Sequence, residues 1–323
     1  MKAVVVHRYG PPHSIVLADL PRPVAGAGEV LVRIRATTVS AADMRLRSGD
    51  FPRGMRLPAR LAMGWAGPRR KVLGTDLAGE VVALGQGAMG VAVGDRIVAF
   101  VGAGMGCHAE YRVLKLTAPW CLIPDDMDWA GAAAIPFGAT TALHFLRDRA
   151  GVQASDRVLV VGASGAVGSV AVQLARHWGA HVTAVTSTAN LALVRKIGAA
   201  EAIDYRTTDW ATLGRRWDVI LDTTGTVDTA RARPCLPPGG RLALVAADLP
   251  QMLSGVFARG IRVLTGVAPE RAEDLRLLVA LAAEGAFRPL IERTFALQDA
   301  DAAHAHVATG RKRGNVVLVM VQD

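Results

Sequence analysis

Apolar and polar residues alternate in short runs over the first 120 or so positions. "KAVVVHRY" is mostly apolar, "EVLVRIRAT" sets apolar against charged residues, and "LAGEVVALG" and "DRIVAFV" repeat the pattern between glycine-rich breaks. A period of two with such breaks predicts half-buried strands in an irregular β unit, a partly open barrel. The pattern changes near Ile123–Pro124. "DWAGAAAIPFGATTALHFLRDRA" reads as helical, and "RVLVVGASGAVGSVAVQLARHWGAHVTAVTS" as strand, turn, helix, strand. "KIGAAEAIDY", "WDVILDTTG", "GRLALVAA" and "IRVLTGV" continue an αβ beat, which predicts a doubly wound parallel sheet and an α/β fold class. The tail reads as a helix over 270–284, an extended "FRPLIERTF", an alanine-rich helix near 298–308 and the strand "NVVLVMV". It is expected to return to the first unit.

Composition narrows the function classes. Of 323 residues 51% are hydrophobic and 20% charged, which suits a globular chain and excludes wholesale disorder. The net charge of +9 is scattered, with only "PRRK" at 68–71 and "GRKRG" at 310–314 as short basic stretches. A nucleic-acid partner is therefore not expected, and a cleft that attracts an anionic cofactor is the better use of the charge. Cys107, Cys121 and Cys235 lie far apart with no CxxC, so neither a zinc ribbon nor a disulfide framework is indicated, as suits a cytoplasmic protein. The uncharged run 158–175 is long enough to raise a membrane span, but its glycines, serines and glutamine favour a buried strand-turn-helix, and no membrane partner is expected.

The sharpest motif is "VVGASGAVG", 160–168. Aligned on G-x-G-x-x-G it places Ala163, Gly165 and Gly168 at the glycine positions, with Ser164, Ala166 and Val167 between them. An apolar strand precedes it and an amphipathic helix follows, so backbone N–H groups at the helix start can bind a pyrophosphate. Gly165 would allow the cofactor's approach and Gly168 close helix–sheet packing. The acid that holds an NAD ribose is replaced by Ser187 at the second strand's end. Ser187 and Asn190 can donate hydrogen bonds, Arg195 and Lys196 bring charge, and Tyr205 ends the next strand on the same side. This pattern favours NADPH over NADH.

The stretches "VLVRIRATTVSAADMRLRSGDFP", "VLGTDLAGEVVALG", "VGDRIVAF", "HAEY", "AAIPFGATTAL", "VLVVGASGAVGSVAVQLA", "STAN", "GAAEAIDY" and "GNVVLV" run through the whole chain. In them it resembles the medium-chain dehydrogenase/reductase superfamily, and within it the zinc-free quinone oxidoreductase (zeta-crystallin-like) and enone reductase branch. The resemblance implies a GroES-like catalytic domain from 1–121 and 264–323, a Rossmann domain over 122–263, and a site in the cleft between them. It also implies cofactor contacts from Thr224, Val267 and Asn315, the last where the family often has lysine. The zinc members' ligand positions fall on Ser40, Thr75 and Phe137. A hydroxyl is a poor zinc ligand and a phenyl ring is none, so no metal is expected. The "HAH" at 304–306 is no substitute, since its spacing points the rings to different helix faces.

Without zinc, a conjugated quinone or enone is the easier hydride acceptor, because hydrogen bonds suffice for the charge that spreads onto oxygen. Arg45 stands where quinone reductases often carry tyrosine and is expected to bond a substrate oxygen or the cofactor's phosphates. Asp43 is expected to orient Arg45 or a nearby strand, and Thr141 to lie near the nicotinamide. Ser40 and Phe137 are substrate-pocket candidates. Residues 54–70 read either as a helix or flap over the pocket, with Met63 and Trp65 lining it, or as ordinary surface packing. Asp76 reads as a cleft-side structural carboxylate paired with an arginine. The function implied is a quinone or enone oxidoreductase. An NADPH-binding redox sensor or scaffold, and an NADP-dependent alcohol dehydrogenase, stay open as alternatives. The apolar strand 261–267, last in its sheet, is expected to pair subunits in a homodimer.

Overall fold

A computed structural model describes residues 1–256 and 258–320. The expected second catalytic segment and its strand therefore end in residues 321–323, outside the described residues. The chain opens with the antiparallel pair β1 (Lys2–Val6) and β2 (Ile15–Asp19). Then follow β3 (Glu29–Thr38), α1 (Ala41–Ser48), α2 (Arg56–Met63), β4 (Asp76–Leu84), β5 (Arg96–Phe100), β6 (Tyr111–Lys115) and β7 (Trp120–Leu122). After α3 (Trp129–Ala133) and α4 (Pro136–Leu143) comes an alternating run: β8 (Arg157–Val161), α5 (Ala166–His177), β9 (His181–Thr186), α6 (Leu191–Lys196), β10 (Glu201–Asp204), β11 (Val219–Asp222), α7 (Thr229–Ala232), β12 (Arg241–Leu244), α8 (Leu249–Val256) and β13 (Arg262–Leu264). The tail is α9 (Ala272–Ala283), β14 (Ile291–Ala296), α10 (Ala300–Ala308) and β15 (Asn315–Val319).

Two large sheets result. The first runs β14-β15-β3-β4-β5-β7, with β6 also on β3, so the tail does return to the first unit and the path stays open at β14 and β7. The alternation read in "EVLVRIRAT" is real: Val30, Val32 and Ile34 are buried, while Arg33 reaches Tyr111 Oη at 3.2 Å and Arg35 pairs with Glu80 at 2.9 Å. The second sheet is parallel throughout in the order β10-β9-β8-β11-β12-β13. Its order reverses direction between β8 and β11, and ligands of such sheets bind beyond the strands' carboxyl ends at that point. β8 is buried from Val158 to Val161, as a central parallel strand is.

Small residues let the sheets share one core. Ala132 and Ala133 of α3 pack with Ala36, Ala78 and Val98 of the first sheet and with the helices that cover the second. The run 158–175 is strand, turn and helix, and among the described residues no helix is long and apolar enough to cross a membrane. The helix α1 was not expected between the early strands, whereas α2 falls in the 54–70 segment read as a helix or flap. The signal for α1 lay in Ser40 and Asp43, a capping box read as catalytic chemistry.

Candidate active site

β8 ends at Val161 and turns through Gly162, whose φ of 81° favours glycine. A Cβ at Gly162 would lie 2.5 Å from atoms of Thr223 and Thr224, so the loop after β11 closes on this turn. Asp222 fixes that loop by accepting from Thr224 N and Oγ1, Gly225 N and Val227 N. The Thr224 hydroxyl is therefore committed to Asp222. A Cβ at Gly168 would sit 2.2 Å from Gly162 O, so that glycine lets α5 pack on its strand, as expected. Gly165 serves otherwise. Its Cβ would meet only Gly162 O, at 3.4 Å, so the absent side chain leaves open surface. It caps α5 with no side-chain bond, and N–H groups of Ala166, Val167 and Gly168 have no acceptor within the helix. Open ground before a helix start at the switch point suits a diphosphate, so these residues fit a dinucleotide. Ala163 is buried and its N–H is taken by Val185 O at 3.2 Å, which leaves it a packing role.

At the end of β9, Ser164 Oγ accepts from Thr186 Oγ1 at 3.0 Å and from Asn190 Nδ2 at 3.1 Å, and Asn190 Nδ2 also donates to Ser187 Oγ at 3.2 Å. Asn190 is buried and its amide donors are spent inside the protein, so it is a brace rather than the free donor expected. The hydroxyl hydrogens of Ser164 and Ser187 stay available to a ligand. Tyr205, 58% exposed, follows β10 beside Thr186. Arg195 and Lys196 are exposed on α6 and bond to no described residue. An acid that the sequence did not flag ends β10: Asp204 accepts from Thr188 Oγ1 at 2.5 Å and Arg206 N at 3.0 Å, and these bonds hold its carboxyl below the usual range.

The first sheet reaches the same loop. Gly314 N donates to Ser164 O at 2.7 Å, and Gly314 bridges Gly165. Asn315 next to it is not a free cofactor donor, because its N and Nδ2 both donate to Leu290 O. Lys312 was missed. Its ammonium donates to Gly314 O at 2.5 Å, and burial pushes its pKa down to about 8 against the pull of Glu292. A cation two residues before a glycine that contacts the diphosphate loop was the available signal.

On the catalytic side, Asp43 accepts from Ser40 N, Ser40 Oγ and Gly74 N at 2.9, 2.6 and 2.9 Å. It orients the segment before β4 and does not touch Arg45. The Ser40 hydroxyl, a substrate-pocket candidate, is spent in this cap and is not free to donate to a ligand. Arg45 is half-buried, with burial lowering its pKa and Asp50 opposing, and its guanidinium bonds to no described residue. Asp76 is not paired with an arginine. It is fully buried and accepts from Thr38 N and Oγ1 at 2.8 and 2.7 Å, with Thr37 Oγ1 at 3.4 Å. Burial pushes its carboxyl up to about 7, and those hydrogen bonds only partly offset that. Beneath lie His108, bonded to Thr38 O at 2.9 Å, and His304, stacked edge-on 5.6 Å away; burial drives His304 well below the ordinary imidazole range. The second histidine of the "HAH" faces elsewhere, to Glu292 at 2.7 Å.

Of the zinc positions, Thr75 keeps a buried hydroxyl with no partner, and Phe137 lies on α4, which crosses α5 where Gly138 meets Ala166 O. Among the described residues no three His, Cys, Asp or Glu side chains group as ligands. The Thr141 hydroxyl bonds back to Phe137 O at 2.7 Å. Met63 packs with Leu46 and Leu73, whereas Trp65 is 63% and Val267 91% exposed, so neither of the latter lines a closed pocket.

Comparison with known proteins agrees with this geometry. A model of the alcohol dehydrogenase GroES-like domain matches residues 26–125, and one described as zinc-binding dehydrogenase matches 197–318. The chain is 30% identical to the chloroplastic quinone-oxidoreductase QR1 of Triphysaria versicolor, over 98% of both chains. It is 30% identical to the 2-methylene-furan-3-one reductase of Solanum lycopersicum over 90% of this chain and 71% of that one. The quinone oxidoreductase of Coxiella burnetii superposes with a TM-score of 0.88 at 26% identity, over 99% of both chains. With relatives matching from end to end, the chain belongs to the medium-chain dehydrogenase/reductase superfamily, as an oxidoreductase that uses a nicotinamide cofactor on small molecules.

Proposed function

We propose that the protein is a zinc-independent, NADPH-dependent reductase that passes hydride to a conjugated carbonyl, either a quinone or an α,β-unsaturated ketone or aldehyde. The observation that carries this is the donor set of the cleft. Ser40, Thr75 and Phe137 stand at the metal positions, and none offers thiolate, imidazole or carboxylate. NADPH, when bound, supplies the hydride. The chain's own part is to bind and orient. The α5 start takes the diphosphate, Ser164 and Ser187 offer hydroxyl donors, and Arg195 or Lys196 answers the 2′-phosphate. Asp204, turned to Thr188 and its own loop, leaves that ground without a free carboxylate. Arg45, with no protein partner, is placed to bond an acceptor oxygen or the diphosphate. It keeps its proton at neutral pH, so water completes the product: hydride plus one proton gives a hydroquinone, or the saturated carbonyl from an enone. The same reading includes catalytic segments 1–121 and 264–323 around a Rossmann domain at 122–263, a homodimer through 261–267, and a cytoplasmic location.

A panel of quinones and enones, followed by loss of NADPH absorbance, tests this. Turnover with NADPH above NADH, unchanged after dialysis against a chelator, is expected. Tight NADPH binding with no turnover on any acceptor would favour the sensor reading, which Arg45 in place of tyrosine and the committed Asn315 amide support. Chelator-sensitive oxidation of simple alcohols would favour the alcohol dehydrogenase.

A further inference from the structure

α2 is turned inside out. Ala59, Arg60 and Met63 face inward, with Arg60 over the Tyr9 ring at 5.4 Å and Met63 against Leu46 and Leu73. Leu57, Pro58, Leu61 and Ala62 face solvent, Leu57 and Leu61 being 58% and 60% exposed. A surface helix of a globular protein ordinarily presents the opposite face. The ridge continues onto the other half of the molecule. Leu249 N donates to Arg53 O at 3.0 Å, and the Leu249 side chain packs on Gly54. Leu249 and Leu253 are exposed one turn apart on α8, while Met252 between them faces the core. α8 starts beyond the carboxyl end of β12, on the same edge of the parallel sheet as the Gly162–Gly168 turn after β8, so the α8 leucines lie on the side of the molecule that carries that turn.

Charge says what covers it. Residues 51–75 contain no Asp or Glu, but Arg53, Arg56, Arg60, Arg69, Arg70 and Lys71. None of these is in an ion pair among the described residues; Arg69 and Lys71 bond only to the carbonyls of Leu61 and His7. Asp248 is committed to capping α8 at Gln251 N. A second copy docked on the same face would set cations against cations. A nucleic acid would use the cations and leave the leucines in water. An anionic bilayer takes both, with aliphatic side chains among the acyl chains and arginines at the headgroups.

We propose that α2 and the α8 leucines form a peripheral docking surface for an anionic lipid bilayer, which holds the carboxyl edge of the parallel sheet toward the membrane. In its consequence that the acceptor is lipid-borne, this rests on the reductase reading; the docking itself does not. The proposal departs from the expectation of no membrane partner, which rested on the lack of a spanning segment; a helix lying on the surface needs none.

The test is sedimentation of the full-length protein with vesicles of phosphatidylcholine, alone or mixed with phosphatidylglycerol. Binding only to the mixed vesicles, weakened by salt, is expected, with a loss of at least about tenfold in Leu57→Glu/Leu61→Glu. That variant should melt as the parent does and still reduce a water-soluble quinone. Three results would overturn docking: no binding at low salt, equal binding by the variant, or an oligomer in light scattering that the variant converts to monomer. No turnover by either protein of any quinone or enone in a water-soluble panel would instead remove the reductase reading, and the sedimentation result would stand by itself.

Discussion

The Gly162–Gly168 turn and the Ser40–Asp76 region use polar and small residues in opposite ways. In the turn, side chains are absent so that something else can approach: Gly168 admits the strand and Gly165 leaves open surface. In the catalytic region, side chains are present and already spoken for. Asp43 holds Ser40 and Gly74, and Asp76 is held by Thr37 and Thr38. Polar residues that look catalytic in a sequence are often the ones with hydrogen bonds to satisfy inside a buried loop. Arg45 and Thr75 are exceptions there: the Arg45 guanidinium is half-buried and the Thr75 hydroxyl buried, neither with a partner among the described residues.

The largest effects should separate the two glycines. Gly168→Val puts a side chain 2.2 Å or less from the Gly162 carbonyl, so a thermal melt should show loss of several kcal/mol or failure to fold. Gly165→Ala meets only a 3.4 Å contact. It should melt like the parent while NADPH affinity, by fluorescence titration, falls by about tenfold or more. Equal melting losses in the two would break the contrast.

Next come the two neighbours on α1. Asp43→Ala strips a buried cap and the partner of Gly74 N, and should cost about 2–4 kcal/mol in urea unfolding. Arg45→Ala loses no bond within the protein and should change stability by less than about 0.5 kcal/mol, while raising KM for acceptor or NADPH severalfold. A normal rate and KM in Arg45→Ala would remove Arg45 from the site.

Asp76 gives a pH signature. An unfolded aspartate titrates near pH 4, and this one near 7. Between those values the folded state keeps a proton that the unfolded state has lost, so stability falls as pH rises through that window. Asp76→Asn should flatten that slope, by an amount on the order of a few kcal/mol at pH 8, in urea melts across pH. His304 acts with the opposite sign: its depressed pKa loses stability as pH drops below about 6.5. The smallest effect is at the exposed edge. Arg195→Ala should weaken NADPH by about two- to fivefold, leave NADH unchanged, and lose its effect at high salt. Equal effects on both cofactors would return Arg195 to a solvated helix face.

The periodicity alone determined the two architectures, because a parallel central strand must be apolar on both faces and an antiparallel one on one face. The G-x-G-x-x-G spacing also foretold the close packing at Gly168, where a Cβ would sit 2.2 Å from Gly162 O. Tertiary structure alone decided the fate of Asp76, Asn190 and Asn315, because a hydrogen bond depends on partners such as Thr38, Ser164 and Leu290, brought near by the fold. It also decided which face of α2 turns outward. The spacing of Leu57 and Leu61 marks a common face, but only the packing of Met63 on Leu46 and of Gly54 on Leu249 sets that face toward solvent.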